Sequence, residues 1–245
     1  NVINIYKKLG ETPLAALERL RLRDLRYAKA TLSYAGRLDP MAEGVLVVLA
    51  GEENKRRDAY LSLRKEYLVD ILFGFETDSF DTMGLVSSPP EIPDEINLDL
   101  LIRYLNSLVG EHEQEYPAYS SKAVFGKPLF MWAREGKMGL IEIPRKKIEI
   151  YAGEYLGTRM MSVDALRQRI SHALSTVVGD FRQKEILELW QKILVPSAVE
   201  KFQICKIKVK CSSGTYIRVL AENIGKKLGA PALAWKIVRT QIFFL

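Results

Sequence analysis

The stretch Tyr34-Ala35-Gly36-Arg37-Leu38-Asp39-Pro40-Met41-Ala42-Glu43-Gly44-Val45-Leu46-Val47-Val48-Leu49-Ala50-Gly51 decides the fold. Val45 to Ala50 is an uninterrupted apolar run between glycines, which reads as a buried strand. Asp39 lies in the loop that feeds this strand. Pro40 restricts the backbone of Asp39 and leaves the loop few shapes. A stiff loop clamped to a sheet can hold one reactive carboxylate. The competing reading is an ordinary Leu-Asp-Pro turn.

Upstream, Val2 to Tyr6 reads as a short strand with Ile3 and Ile5 on one face. Thr12 caps a helix with Pro13 at its first position, where no N–H is needed. Leu14, Leu17 and Leu20 mark its expected buried side, and Arg19, Arg21, Arg23 and Arg26 give a basic surface. Leucine and arginine alternate from Leu20 to Arg23, so that end is open between helix and strand. Downstream, Tyr67 to Phe73 is apolar on both faces and predicts a central strand. Gly74 to Gly84 is a polar loop containing Asp78 and Asp81. Paired carboxylates can serve a metal or acid–base site, although side-chain-to-backbone turns explain them more cheaply. Ser87 to Pro93 is a proline-rich connector. Leu98, Leu101, Ile102, Leu105 and Leu108 then predict a helix ended by Gly110, followed by an acidic patch at Glu111, Glu113 and Glu115.

Tyr116 to Phe130 mixes aromatics, Lys122, Lys127 and small polar residues. Such a segment can stack on bases and meet phosphates, or equally form a buried aromatic loop. Ile148 to Leu156 reads as a strand. Ser162 caps a helix with Val163, Leu166, Ile170 and Leu174 on one face. A second helix is expected from Arg182 to Leu194, with Ile186, Leu189, Trp190 and Ile193 buried. Gly179-Asp180 separates the two and Pro196 closes the unit, predicting an αα-hairpin over 162–195. Phe202 to Cys211 is a lysine-laced strand whose apolar face swaps near 204–205, as a bulge would cause. A helix runs from about Tyr216 to Leu228 and ends at Gly229. Arg218 stands in its first turn, where the helix dipole disfavours a cation, so a carboxylate is expected beside it.

The 245 residues fit one large domain, and a hydrophobic fraction of 48% suffices for a sizeable core. Lysine plus arginine exceed aspartate plus glutamate by 36 to 30, which is compatible with a polyanionic partner. Cys205 and Cys211 fall on one strand and cannot reach each other, and two cysteines with two distant histidines make no zinc signature. No signal peptide and no apolar run near the length of a membrane span is present. A cytoplasmic location and a monomer are expected. The chain begins at Asn1, compatible with a processed or trimmed start.

Several of these segments together resemble, in order, the motifs of the TruB family of pseudouridine synthases. Lys7, Gly10 and Thr12 match its opening motif, although Lys8 replaces a proline and Pro13 a usual serine. Gly36, Leu38, Asp39, Pro40, Ala42, Gly44, Gly51 and Lys55 match its signature, and Lys65 and Tyr67 its Lys-x-Tyr. Gly74, Thr77, Asp78, Asp81 and Gly84 match the polar loop. Pro117, Tyr119, Ser120, Lys122 and Gly126, then Trp132, Ala133, Arg134 and Gly136, match its mobile segment, with Lys122 one position early. Gly214-Thr215-Tyr216-Ile217-Arg218 and Arg239-Thr240 match the last motifs. Tyr34 stands where the family carries histidine. The likeness covers nearly the whole chain except roughly 157–200.

The resemblance implies an α+β pseudouridine synthase fold, with a mixed, largely antiparallel central sheet flanked by helices. It implies one catalytic domain over 1–245, a thumb-like RNA-binding insertion at 119–147 and an additional helical hairpin at 162–195. It implies isomerisation of uridine to pseudouridine in the T-loop of tRNA, at position 55 of tRNA numbering, without cofactor or metal. Asp39 would be the catalytic carboxylate, Tyr67 would stack on the base, and Arg218 would pair with Asp39. Tyr34, Arg37, Lys65, Tyr119, Lys122, Lys127, Arg134 and Lys146 would contact RNA. Many members continue into a small C-terminal RNA-binding domain, and its job is expected to be dispensable or moved in a chain that stops at Leu245. The rival readings are an RNA-binding or folding helper without catalysis, a synthase acting on ribosomal or guide-bound RNA, and a metal hydrolase built on Asp39, Asp78 and Asp81.

Overall fold

A computed structural model describes residues 1–87, 95–194 and 201–244. The described elements are β1 (Val2–Lys7), α1 (Pro13–Arg23), β2 (Leu32–Ala35), β3 (Ala42–Ala50), α2 (Arg57–Leu61), β4 (Arg64–Phe73), α3 (Leu98–Ser107) and β5 (Gly110–Glu115). They continue with β6 (Ala123–Val124), β7 (Lys127–Pro128), α4 (Leu129–Arg134), β8 (Arg145–Ser162), α5 (Val163–Thr176), α6 (Gln183–Ile193), β9 (Lys201–Cys211), α7 (Ile217–Leu228) and β10 (Ala232–Phe243).

Eight strands form one sheet in the order β1-β3-β10-β4-β9-β8-β5, with β2 also paired to β3. Only the β10–β3 contact is parallel among these pairs. The apolar run read as a buried strand is β3, with Leu46 to Leu49 fully buried. Gly44 permits its parallel partner to approach, since a Cβ there would lie 2.2 Å from the Arg239 carbonyl oxygen. β4 sits between β10 and β9, and each of its faces packs into a different core. Val69, Ile71 and Phe73 meet α3 and α7 on one side, whereas Leu72 meets α5 and α6 on the other.

That two-sided cover explains the swap of apolar face in β9. The β4–β9 register runs without interruption through Leu72–Ile204 and Ile71–Cys205, so β9 has no bulge there. Cys205 faces the α3–α7 layer and Ile204 the α5–α6 layer, and both are buried. The irregularities lie in β8, between Ile150 and Ala152 and between Tyr155 and Gly157.

Other expectations shift for similar reasons. Thr12 caps α1 by accepting from the Ala15 amide, with Pro13 at the helix start. Its buried residues, however, are Pro13, Ala16 and Leu17, and Leu14 is 63% exposed. The alternating stretch to Arg23 stays helical. Glu111, Glu113 and Glu115 form a strand, β5, whose opposite face carries the buried Gln114. β8 runs from Arg145 to Ser162, so residues 145–147 pair with β5 rather than lying in a flap. The αα-hairpin is present, with Ser162 accepting from the Ala165 amide at its start and Ile186 and Trp190 buried in its second helix. Residues 88–93 of the expected connector and Pro196 lie outside the described residues. No helix among the described residues is long and apolar enough to cross a membrane.

Candidate active site

A cleft of about 960 Å³ opens where the β2–β3 loop, β4, the Gly74–Gly84 loop, the segment after β5 and the start of α7 converge. Asp39 is part of its lining. The loop is held from below: the Lys7 ammonium donates to the carbonyls of Lys8 at 3.0 Å, Pro40 at 3.3 Å and Ala42 at 2.6 Å. Lys7 is fully buried, and burial pulls its pKa down to about 8. The Gly10 amide donates to the Pro40 carbonyl at 2.9 Å, and the Ala42 amide to the Asp39 carbonyl at 3.0 Å. Leu38 and Met41 anchor the loop in the core on either side of the aspartate. The carboxylate itself remains 36% exposed, open to the cleft.

The carboxylate that a helix-start arginine requires is Asp39. Arg218 Nε donates to Asp39 Oδ2 at 2.7 Å. A fork closed on one carboxylate is not what forms. Instead, Nη1 donates to the Ser79 carbonyl at 2.6 Å and Nη2 to the Tyr119 carbonyl at 3.2 Å. The guanidinium thereby ties the catalytic-loop candidate, the polar loop and the segment after β5 together. Asp81 Oδ2 is 3.5 Å from the same Nε and is itself buried. Burial raises the Asp81 pKa, opposed by Arg218 and by the hydrogen bond from Ser79. Burial works against the Arg218 charge, but Asp39 and Asp81 outweigh it and raise its pKa. Gln114 completes the support, donating to the Tyr216 carbonyl and accepting from the Tyr216 amide at 2.7 Å.

Asp78 and Asp81 do not share a site. Asp78 accepts from the Leu85 amide and pairs with Arg182 at 3.0 Å. Asp81 accepts from Ser79 and the Met83 amide. Among the described residues no cluster of three or more histidine, cysteine or acidic side chains is placed to hold a metal.

Ten of the eleven residues singled out in the sequence line this cleft, and Lys127 does not. Lys127 pairs with Glu135 and lies over the Trp132 ring at 4.5 Å, bracing α4. Arg37 donates to the Ser121 hydroxyl and lies 3.4 Å from the Tyr34 hydroxyl. Lys122 sits over the Tyr116 ring at 5.4 Å, and Lys146 donates to the Ser213 carbonyl. Tyr67 is buried to 6% exposure, and burial raises its pKa. The lining carries eight basic and three acidic side chains, an excess that favours a polyanion.

Sequence reasoning did not place Ser79, Asp81, Arg182 or Arg239 in the cleft, Asp81 and Arg239 having entered only as motif residues and Asp81 as half of a paired-carboxylate alternative. It also set the helical hairpin apart from the cleft. In the structure the α5–α6 turn forms part of the wall. Arg182, at a left-handed φ of 65°, lies 4.4 Å over the Tyr119 ring, and Arg134 donates to the Asp180 carbonyl at 2.9 Å. The left-handed backbone turns the chain into α6 at its N-cap, with Arg182 paired to Asp78. No local sequence signal marks this, because the partners are over a hundred residues apart.

The architecture recurs in solved structures. A chain of a Cbf5-Nop10-Gar1 complex superposes with a TM-score of 0.57 at 19% identity, covering 98% of this chain and 48% of that one. A chain of an H/ACA RNP bound to a substrate RNA containing 2'-deoxyuridine gives 0.52 at 18%, covering 98% and 47%. Both likenesses speak for the pseudouridine synthase-like α+β fold. The model of the TruB family pseudouridylate synthase N-terminal domain matches residues 25–176, and the chain belongs to that family. It is 33% identical over 242 residues to "tRNA pseudouridine synthase B" of Thermosipho melanesiensis, covering 98% of this chain and 63% of that protein. It is 34% identical over 209 residues to the protein of the same name from Francisella tularensis subsp. novicida, covering 85% and 54%. The chain thus spans somewhat over half the length of these relatives.

Proposed function

We propose that this chain isomerises uridine to pseudouridine in the T-loop of tRNA, with Asp39 as the catalytic carboxylate and without metal or cofactor. The observation that carries the reading is the half-exposed Asp39 carboxylate held at 2.7 Å by a buried arginine in a cleft with a basic lining. Family membership and the relatives' names point to the same reaction and substrate.

The chemistry asks for a carboxylate near C1′ of the target nucleotide. Asp39 attacks C1′ or removes the 2′ proton, and the C1′–N1 bond breaks with its electron pair leaving on the base. The base turns, C5 bonds to C1′, and the C5 proton is lost to solvent. Arg218 orients the carboxylate beforehand. The base must leave the loop stack, and stacking on Tyr67 offsets part of that cost. Tyr34, Arg37, Tyr119, Lys122, Arg134 and Lys146 are assigned to the RNA backbone and loop, with 119–144 acting as a thumb over the cleft and 145–147 belonging to the sheet. The hairpin at 162–195 braces that thumb through Asp180 and Arg182. The test is tritium release from a T-arm stem-loop labelled at C5 of its uridines. Wild type releases tritium in EDTA, and Asp39→Asn does not while still binding the RNA. Release by Asp39→Asn at the wild-type rate would remove Asp39 from the mechanism.

A further inference from the structure

Beside Tyr67 the cleft holds two buried cations to which the mechanism above gives no task. Lys65 shares a face of β4 with Tyr67, and Arg239 of β10 is its direct cross-strand partner. Their exposures are 3% and 1%, and both line the cleft. Among the described residues neither has a carboxylate within 4.0 Å, unlike Arg218. The nearby Cys211 thiol is no counter-ion, because burial pushes its pKa up to about 11. Lys146, close enough to be felt by Lys65, adds a further positive charge. Burying cations without a partner is costly, which calls for a negative charge that arrives with the substrate.

A count of donors locates where that charge would sit. Lys65 Nζ gives hydrogen bonds to the carbonyls of Leu61 at 3.1 Å and Leu63 at 2.5 Å, leaving one of its three N–H groups free. Arg239 spends Nε on the Val45 carbonyl at 2.7 Å and Nη2 on the Gly36 carbonyl at 3.0 Å, while Nη1 is buried with no partner. Both groups border Gly36 in the cleft lining, with Lys65 Cε 3.1 Å from where a Cβ would stand. A Cβ built there would meet Arg239 Nη1 at 3.4 Å and Lys65 Nζ at 3.9 Å. Glycine at 36, with φ +78°, keeps that space clear.

We propose that Arg239 Nη1 and Lys65 Nζ bind the anionic carbonyl oxygen of the detached uracil, stabilising the base while it is free of the ribose. This rests on the reaction assigned above. When the C1′–N1 bond breaks, the electron pair leaves with the base and spreads over N1 and the carbonyl oxygens. At the same step the Asp39 charge is consumed, either in a bond to C1′ or by the 2′ proton. One negative charge therefore passes from Asp39 to the base, out of the Arg218 pair and into the field of Lys65 and Arg239. It returns when C5 bonds to C1′ and Asp39 is released. Such preorganised donors act on charge that exists only along the reaction path. The lowered pKa of Lys65, about 8 through burial and the neighbouring Arg239 and Lys146 charges, makes its part of the effect sensitive to mild alkali.

The experiment compares wild type, Lys65→Met and Arg239→Lys in single-turnover tritium release from a C5-labelled T-arm stem-loop, with the Kd for that RNA measured on the Asp39→Asn background. Lys65→Met is expected to slow the chemical step about 10²-fold, leave Kd within about twofold, and remove the alkaline fall in rate that wild type shows near pH 8. Arg239→Lys is expected to slow the step with Kd likewise unchanged, because its charge remains but the aimed Nη1 is lost. Weakened binding with a salt slope reduced by about one and an unchanged chemical rate would place an RNA phosphate there and overturn the proposal. An unchanged rate and Kd would do the same. Were Lys65→Met not to fold, Arg239→Lys decides alone, and an unchanged chemical rate in it would overturn the proposal. A wild type that releases no tritium would refute the reaction itself, a distinct result.

Discussion

The two charged regions of the cleft are built on opposite plans. Around Arg218 every guanidinium nitrogen has a partner, and Asp39, Asp81, the Ser79 carbonyl and the Tyr119 carbonyl surround the buried group. Around Arg239 and Lys65 the described residues place no carboxylate within ion-pair distance, and one buried guanidinium nitrogen has no hydrogen-bond partner. The first arrangement fixes a group that must already be charged and aimed when substrate arrives. The second leaves an electrostatic vacancy beside Tyr67. A site that moves one charge across itself needs both kinds, one balanced at the start of the reaction and one balanced in the middle.

The strongest way to break the comparison is Asp39→Asn. It should lower turnover by about 10²–10⁴-fold or more, measured by tritium release, with RNA affinity nearly unchanged because shape is conserved. Next is Arg218→Met, which leaves Asp81 buried without its cation. Removing one partner of a buried pair costs about 3–5 kcal/mol, read from the urea midpoint, and turnover should fall with it. Arg218→Lys should restore part of the stability and little of the activity, since an ammonium cannot reach Asp39 and the two carbonyls together.

Alkali sharpens the contrast. Lys7 and Lys65 have folded-state pKa values of about 8, below their ordinary 10.5. Between those pH values the unfolded chain holds protons that the folded chain has shed. The two groups therefore add stability as pH rises through that window, and below pH 8 their burial penalty is fully present. Denaturation midpoints of wild type should shift upward from pH 8 to 10 relative to a Lys7→Met, Lys65→Met double variant, while wild-type activity falls. The smallest effect is expected at Arg182. Replacing it with alanine removes a partly exposed pair with Asp78 worth about 1 kcal/mol or less, and RNA Kd should weaken a few-fold through looser placement of Tyr119 and Arg134.

The balanced region was legible in the sequence, and the unbalanced one was not. Asp39 announces itself by the stiff Leu-Asp-Pro loop ahead of an apolar strand. Arg218 announces a carboxylate partner because a cation is unfavourable at a helix start. Both signals are local. Arg239 matches a closing motif but carries no local physical signal, and by pattern alone is one more polar residue in a strand. Its burial depends on β3 passing at Gly44 and on Tyr67 lying opposite, which pairing alone decides. Asp81 read as half of a turn because its neighbour Arg218 comes from α7. Likewise, two apolar helical stripes predicted the α5–α6 hairpin, but not that its turn would reach the cleft. The face swap in β9 suggested a bulge because a single covered face was assumed, whereas helices cover both.

The central claim is the reaction and its position in RNA. Purified protein incubated in EDTA with unmodified total tRNA and ribosomal RNA, followed by chemical mapping of pseudouridine, tests it most directly. The account predicts one modification per tRNA, at the T-loop uridine, absent with Asp39→Asn. Pseudouridine confined to ribosomal RNA, or none in any RNA despite tight tRNA binding, would contradict it.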